Sequence, residues 1–360
     1  MRILLITTDA FGGHGGIAQF NRDLLTALCA MPEVEQVVAV PRILPFPHGD
    51  LPAKLRYHPE AAGGKLHFVR EAFAAARGHF DLVVCGHINL LSVAALLNLK
   101  VQAPLVLLVY GIDVWQPHTS ALVRHLVGRV DAVWSISEIT RDKMAAWSGL
   151  VPAKFTILPN AIDLDCYGPG PRNPSLVERY GLAGRKVIMM LGRLSAFERY
   201  KGVDEVLDVM PRLIQDKPAL TFLVAGDGDD RPRLEGKAAS LGVANQVVFT
   251  GFVPEAEKID HYRLADAFVM PGRGEGFGFV FLEALACGVP VVASKLDGSR
   301  EAVRNGLLGR LVDPDDSAEL EAAILNVLND PHGVPEGLAY FAVPEFQKRV
   351  MDATRKAMKK

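Results

Sequence analysis

Short apolar runs alternate with longer amphipathic stretches along the whole 360-residue chain. The first run, Ile3-Leu4-Leu5-Ile6, follows directly on Arg2, and similar runs recur at 36–40, 82–85, 105–110, 131–136 and 155–158. Unbroken aliphatic runs of this length read as strands buried on both faces, which is how strands look in a parallel sheet. Between them the spacing becomes helical, over 17–30, 65–77, 90–99 and 138–148. Residues 41–64, rich in Pro, Gly and His, predict a loop without regular structure. The stretch Gly168-Pro-Gly-Pro-Arg-Asn-Pro174 then breaks the pattern, and the alternation restarts with strands near 186–191, 220–225, 246–250, 267–270 and 290–293. Two βα series either side of a Pro- and Gly-rich break predict an α/β protein of two parallel-sheet domains facing a cleft. Their expected bounds are 1–165 and 175–343, and residues 344–360 form a separate basic amphipathic helix.

Composition narrows the class. Hydrophobic residues make up 49% and charged residues 22% of the chain, which suits a globular protein with a large core. A net charge of -2 excludes nucleic acid as the main partner, since that shows as a basic excess. No apolar run approaches the roughly 18 residues of a membrane span. The core strand begins at once after Met1, so no signal peptide is expected. Cys29, Cys85, Cys166 and Cys287 lack zinc or Cys-x-x-Cys spacing and read as reduced thiols, so a cytoplasmic protein is expected.

The most informative stretch is 271–294, Pro-Gly-Arg-Gly-Glu-Gly-Phe-Gly-Phe-Val-Phe-Leu-Glu-Ala-Leu-Ala-Cys-Gly-Val-Pro-Val-Val-Ala-Ser. A loop with four glycines feeds a helix over 279–286, which Gly288 caps and Pro290 stops. Bare N–H groups and the helix dipole make such a loop an anion site. Two carboxylates flank it, Glu275 in the loop and Glu283 about one turn into the helix. An ionised carboxylate next to an anion site is costly unless it binds something else, and sugar hydroxyls fit, because a carboxylate accepts two O–H bonds. A second glycine loop, Gly13-His14-Gly15-Gly16-Ile17-Ala18, matches a dinucleotide fingerprint. Five residues separate it from the first strand, however, and the next strand ends in Pro41-Arg42 instead of an acidic residue. An NADP-dependent reductase would need this loop and Arg42.

The spacing of Glu275 and Glu283 resembles the Glu-x7-Glu motif of retaining glycosyltransferases of family 4, which have the GT-B fold of two Rossmann-like domains. The resemblance covers nearly the whole chain and is strongest over 192–293. It implies that Glu275 and the backbone of Phe277 and Gly278 face the donor sugar, that Glu283 grips the ribose, and that the Phe279 amide lies near the diphosphate. It implies that Arg193, in Gly192-Arg193, and Lys201, in Lys201-Gly202, clamp that diphosphate. Arg supplies a planar fork and Lys a point charge. The spacing between them exceeds the commoner one, so residues 194–200 read as an insertion that moves on binding. Gly15 and Gly16 let backbone approach the donor, and the backbone at Val253 meets the nucleobase. The family often carries His-Gly where this chain has Tyr110-Gly111. No histidine role transfers there, and Tyr110 and Asp113 remain as acceptor or sugar contacts, Asp113 equally as a loop cap. Asp227 and Asp229 form an Asp-x-Asp pattern, but the resemblance makes them the end of a strand and implies no metal and no other cofactor. The helix at 344–360 is expected to cross back onto the first domain.

The implied activity is transfer of a hexose from a nucleotide-sugar donor, UDP- or GDP-linked, to a glycan or lipid-linked acceptor in polysaccharide or glycolipid synthesis. A catalytically silent sugar-nucleotide-binding scaffold is the other reading. The acceptor is the least determined part. Residues 51–80 carry Lys54, Arg56, Lys65, Arg70 and Arg77 against Glu60 and Glu71. A stripe of Leu66, Val69, Phe73 and Ala76 edged by these cations suits either an anionic membrane surface, hence peripheral contact at the inner membrane face, or a core-facing helix with solvated edges.

Overall fold

The computed structural model describes residues 1–359, which form two compact units. The first holds Met1–Ala161 together with the chain from Val343 onward, and the second holds Ile162–Ala342. In the first unit seven strands form one parallel sheet: β1 (Arg2–Thr7), β2 (Gln36–Pro41), β3 (Leu55–Tyr57), β4 (Leu82–Cys85), β5 (Leu105–Val109), β6 (Ala132–Ser135) and β7 (Phe155–Ile157). Their order is β3-β2-β1-β4-β5-β6-β7. Strands β4 and β5 are buried from end to end, the physical reason their sequences show no polar alternation.

The 41–64 segment is not structureless. It contains β3 and a short 3-10 turn, Pro59–Ala62. Strand β3 is only three residues long, too short to display a period. It forms because β2 supplies partners: the Val37 N–H donates to Lys54 O at 2.9 Å, and the His58 N–H to Ala39 O at 2.9 Å. The helix Lys65–Ala75 is phased differently from the stripe expected of it. Phe68, Ala72 and Ala76 are buried, Val69 and Phe73 pack beside them, and Leu66 is 89% exposed. Burying the large Phe68 ring at the i, i+4, i+8 positions sets the rotation and turns Leu66 outward.

The second unit repeats the plan with β8 (Lys186–Leu191), β9 (Leu220–Ala225), β10 (Val247–Gly251), β11 (Ala267–Val269), β12 (Val291–Ser294) and β13 (Arg310–Val312), all parallel, in the order β10-β9-β8-β11-β12-β13. Strand β13 lies beyond the five expected, since an edge strand of three residues, of which only Val312 is fully buried, has no apolar run to mark it. Each sheet reverses its strand order once, at β1/β4 and at β8/β11. Loops leaving the carboxyl ends on either side of such a reversal diverge and leave a crevice where ligands bind.

The Pro- and Gly-rich segment 168–174 lies wholly within the second unit. The Arg263 guanidinium donates to Gly168 O at 3.0 and 2.9 Å, and Arg172 pairs with Asp266 at 2.5 Å. The last helix, Val343–Met358, belongs to the first unit. Its Phe346 ring meets the Phe20 ring edge-on at 5.7 Å, and Arg355 pairs with Glu33 at 2.7 Å. Among the described residues no helix is long and apolar enough to cross a membrane.

Candidate active site

At the reversal point of the second sheet, β8 runs into Gly192-Arg193 and β11 runs into the 271–278 loop. Close backbone packing joins these two segments. Gly192 lies beside Lys201, whose Nζ would stand 3.4 Å from a Cβ placed there. Gly202 adopts φ +93°, and a Cβ on it would stand 2.6 Å from Pro271 O. The Arg273 N–H donates to Tyr200 O at 2.7 Å. The basic loop and the glutamate loop are therefore one block, although Tyr200 and Arg273 stand 73 residues apart in sequence.

Glu275 is held by its backbone. Its N–H donates to Asp297 Oδ2 at 2.9 Å, and its carbonyl accepts from Gly298 N–H at 2.7 Å. Asp297 is fully buried and fixed in turn by Ser299, whose N–H and hydroxyl donate to Oδ1 at 3.0 and 2.6 Å. Burial pushes the Glu275 carboxyl above the usual range. Asp297 and Glu198 push the same way, while Lys201 and the Phe277 N–H oppose them. Those influences place Glu275, Lys201 and Glu198 in one electrostatic cluster. Phe277 contributes backbone only, because its ring is 1% exposed and packs against Phe341 at 5.5 Å. Gly278 takes φ +93° as the N-cap of the helix Phe279–Ala286, so the Phe279 amide opens the first turn. Val253, just past β10, is partly exposed.

Arg193 and Lys201 both pair with one carboxylate, Glu198, which lies between them in the chain. Arg193 Nη2 meets Oε1, and Lys201 Nζ lies 2.8 Å from Oε2. The intervening segment is pinned. The Ala196 N–H donates to Asp229 Oδ1 at 2.9 Å, and Arg199 donates to Asp230 Oδ1 at 3.0 and 2.8 Å. Asp229 thus anchors this loop, and Asp227 accepts the Gly228 N–H at 2.9 Å.

Glu283 is buried, and both of its oxygens are engaged. Oε2 accepts from Tyr262 OH at 2.6 Å, and Oε1 accepts from Tyr167 OH at 3.1 Å and Lys258 Nζ at 3.0 Å. Burial works against the Lys258 charge, but Glu283 and Glu255 outweigh it and its pKa is raised. A ribose hydroxyl reaching Glu283 would have to share it with these donors.

In the first unit the loops after β1, β4 and β5 meet at the other reversal. Gly15 adopts φ +90° at the start of the helix Gly16–Ala30, and a Cβ there would meet nothing within 4 Å, so Gly15 and Gly16 form an open backbone turn. Tyr110 is buried, with its hydroxyl between Asn21 Oδ1 (2.8 Å) and Gly86 O (2.9 Å). Asp113 caps the loop, accepting the Tyr110 N–H at 3.2 Å. Burial pushes its carboxyl up to about 7, against the opposing N–H groups of Tyr110, Asp113 and Gly111. The folded protein then holds this proton more tightly than the unfolded chain, whose value is about 3.9. The stability it contributes is present below about pH 4 and lost as the pH rises to about 7. Asp113→Asn should flatten the decline in thermal midpoint over that window; an unchanged slope would remove Asp113 as its source.

Sequence reasoning passed over several residues here. His87 stacks near-parallel on the Tyr110 ring at 6.3 Å. Its Nδ1 accepts the Asn89 N–H at 3.1 Å, which leaves the neutral ring's proton on Nε2. Burial, with His118 adding to it, pushes its pKa down to about 4. Its position two residues after an all-apolar strand was the available signal. Asp297, two residues before Ser299, carried an Asx-turn signal. Glu198, Lys258, Tyr167 and Tyr262 carried none.

Known proteins bear on this geometry. Residues 177–342 match the family model described as Glycosyl transferases group 1, and residues 14–166 match Glycosyltransferase Family 4. A phosphatidyl-myo-inositol mannosyltransferase of Mycobacterium tuberculosis is 30% identical over 292 residues, 79% of this chain and 71% of that protein. The chain belongs to glycosyltransferase family 4. A GDP-mannose-dependent alpha-(1-6)-phosphatidylinositol monomannoside mannosyltransferase of Mycolicibacterium smegmatis is 36% identical over 223 residues, 60% of this family 4 chain and 57% of the relative, so the match spans little over half of that protein's length. In fold, this family 4 chain is similar to Anabaena HepE solved with UDP, at TM-score 0.74 and 21% identity over 99% of this chain and 100% of that one. It is also similar to sucrose-phosphate synthase from Thermosynechococcus elongatus, at TM-score 0.73 and 21% identity over 99% and 96%. The two Rossmann-like units are those of the GT-B class.

Proposed function

We propose that the protein is a retaining glycosyltransferase that moves a hexose from a UDP- or GDP-linked donor to a hydroxyl of a glycan or lipid-linked acceptor, in cell-surface polysaccharide or glycolipid synthesis. The observation that carries this reading is the convergence of Arg193 and Lys201 on one anionic position beside Glu275, at the strand-order reversal of the second unit. The relatives named for GDP-mannose and phosphatidylinositol support a nucleotide-sugar donor and a glycolipid acceptor. A lipid-linked acceptor also fits the exposed Leu66, with Lys65 and Arg70 beside it, as a contact for anionic headgroups.

In the proposed reaction the bond from the sugar's anomeric carbon to the diphosphate breaks, and the acceptor oxygen bonds to that carbon on the same face. The acceptor proton passes to the departing phosphate oxygen. Arg193 and Lys201 stabilise the charge on the leaving diphosphate, with the amides at the start of the helix Phe279–Ala286 adding to them. Glu275 supports the positive charge that develops on the sugar ring. With two fixed cations in this role, a divalent metal is not required.

The test is thermal denaturation with UDP and GDP, with and without EDTA, since a ligand bound to the folded state raises its midpoint. One nucleotide should stabilise the protein, EDTA should leave the shift intact, and Arg193→Ala/Lys201→Ala should abolish it. A shift lost on chelation and restored by Mn²⁺ would transfer the role to a metal. A shift that persists in the double variant would place the clamp elsewhere.

A further inference from the structure

Glu198 has the position that an anionic ligand would need. One oxygen faces the Arg193 guanidinium, the other lies 2.8 Å from Lys201 Nζ, and its side chain is only 16% exposed. Burial disfavours its charge, yet Lys201 and Arg193 outweigh that and hold its carboxyl below the usual range. It is thus an ionised group bound by both cations assigned above to the donor diphosphate. The backbone around it is fixed on either side, the Ala196 N–H by Asp229 and Tyr200 O by the Arg273 N–H, and the Arg199 side chain adds a tie to Asp230. The segment 194–200, expected to move as an insertion, is tethered. With that backbone held, a ligand taking the place of the carboxylate would have to turn the Glu198 side chain away from the two cations.

We propose that Glu198 is the clamp's internal counter-anion, which a ligand must displace, so that it sets the charge a ligand needs in order to enter. The inference rests on the donor-binding reading of Arg193 and Lys201. The arithmetic of charge gives it content. One carboxylate between two cations leaves a net charge of about +1, and each oxygen of the carboxylate meets one cation. A singly charged ligand that displaced it would gain nothing in Coulomb energy. A diphosphate brings two charges or more with a wider span of oxygens, and it gains from both cations at once. When the nucleoside diphosphate leaves, Glu198 can return and spare the two cations an unpaired state. The same residue would thereby weaken binding of both donor and product and favour product release.

Isothermal titration with UDP, GDP and the corresponding monophosphates tests this on the wild type and on Glu198→Gln, which keeps size and loses charge. The expected result is that the nucleoside diphosphate bound by the wild type binds Glu198→Gln at least about tenfold more tightly. At about pH 5, where a phosphate monoester is close to singly charged because its second pKa is about 6, the monophosphate should gain as much or more, so the preference for diphosphate narrows, and product inhibition should deepen in turnover assays. Equal or weaker diphosphate binding by Glu198→Gln would overturn the inference and make Glu198 an organiser of Arg193 and Lys201. Should the glutamine variant not fold, Glu198→Asp serves: its arm is one methylene short of spanning both cations, and an intermediate gain is expected, with no gain counting against the idea. If the wild type binds no nucleoside diphosphate at all, the donor-binding reading itself fails; if it binds and the variants show no gain, only the counter-anion role fails.

Discussion

Glu283→Ala should cost the second unit about 3–5 kcal/mol of stability, the range for removing one partner of a buried ion pair. The carboxylate is nearly fully buried and accepts from Tyr262, Tyr167 and Lys258. Alanine leaves two phenols without their acceptor and Lys258 with only Glu255, whose side chain is 73% exposed, at 2.8 Å. Burial already opposes the Lys258 charge, so the ammonium is left poorly compensated. The control is to remove both charges. Glu283→Leu/Lys258→Met should recover the part of the loss that comes from the uncompensated charge, because an apolar pair of similar volume often equals a buried ion pair, while the two phenols still lack their acceptor. Denaturant midpoints on the three proteins measure this. Wild-type stability in Glu283→Ala would mean that the donors around this carboxylate do not depend on it. Weaker donor binding by Glu283→Ala then has two sources, a lost ribose contact and a loosened helix start. The double variant separates them, because it restores that part of the stability without restoring the carboxylate.

How far the sequence could be read depended on the length of each signal. Strands of four to six apolar residues, such as Ile3–Ile6 in β1 or Leu105–Val109, declare themselves because both faces are buried. Strands β3 and β13 did not, because each is three residues long and includes an arginine, Leu-Arg-Tyr and Arg-Leu-Val, whereas β7 and β11, equally short, lie in longer apolar runs. The phase of the helix Lys65–Ala75 was misjudged for a related reason. Leu66, Val69, Phe73 and Ala76 form one self-consistent stripe and Phe68, Ala72 and Ala76 another, with Ala76 common to both. The choice between them depends on what the sheet presents, which the local sequence does not contain.

The site shows the same division. Glu275 was legible in its glycine loop, Arg193 and Lys201 through the family resemblance, and the structure brings them together at the β8/β11 reversal. What the spacing could not show is which groups already hold them. Glu198 occupies the clamp, Asp297 holds the Glu275 loop, and three donors occupy Glu283. Each is a contact between segments distant in sequence or between side chains with no motif, so each appears only once the chain is folded. Tyr110 and Asp113 illustrate the converse. Both lie at the reversal in the first unit, with Asp113 capping the Tyr110 amide and the Tyr110 hydroxyl set between Asn21 and Gly86.

Gly298→Ala should lower turnover by about a hundredfold or more while leaving the Arg193 and Lys201 clamp in place. Gly298 has φ -68°, a conformation that suits any residue, so the backbone sets no obstacle to alanine. The obstacle is the loop that carries Glu275. A Cβ on Gly298 would lie 2.0 Å from Gly276 O, 2.4 Å from Gly276 C and 2.9 Å from Glu275 O. All three are backbone atoms, so no side-chain rotation can relieve the contact and the loop has to shift. The Gly298 N–H also donates to Glu275 O at 2.7 Å, so the shift strains the bond that positions Glu275. A displacement of about 1 Å in a reacting group can cost about 10²-fold in rate. The stability cost should be smaller, about 1–3 kcal/mol as for other overpacked positions. Gly236→Ala is the matched control, since a Cβ there meets nothing within 4 Å and the residue lies in the helix Arg231–Ser240. Saturating-donor kinetics with a UDP- or GDP-sugar, set beside nucleotide-induced thermal shifts, give the two readouts. Near-normal shifts with turnover reduced about a hundredfold or more are the expected pair. Full turnover in Gly298→Ala would show that the reaction does not depend on where this loop holds Glu275.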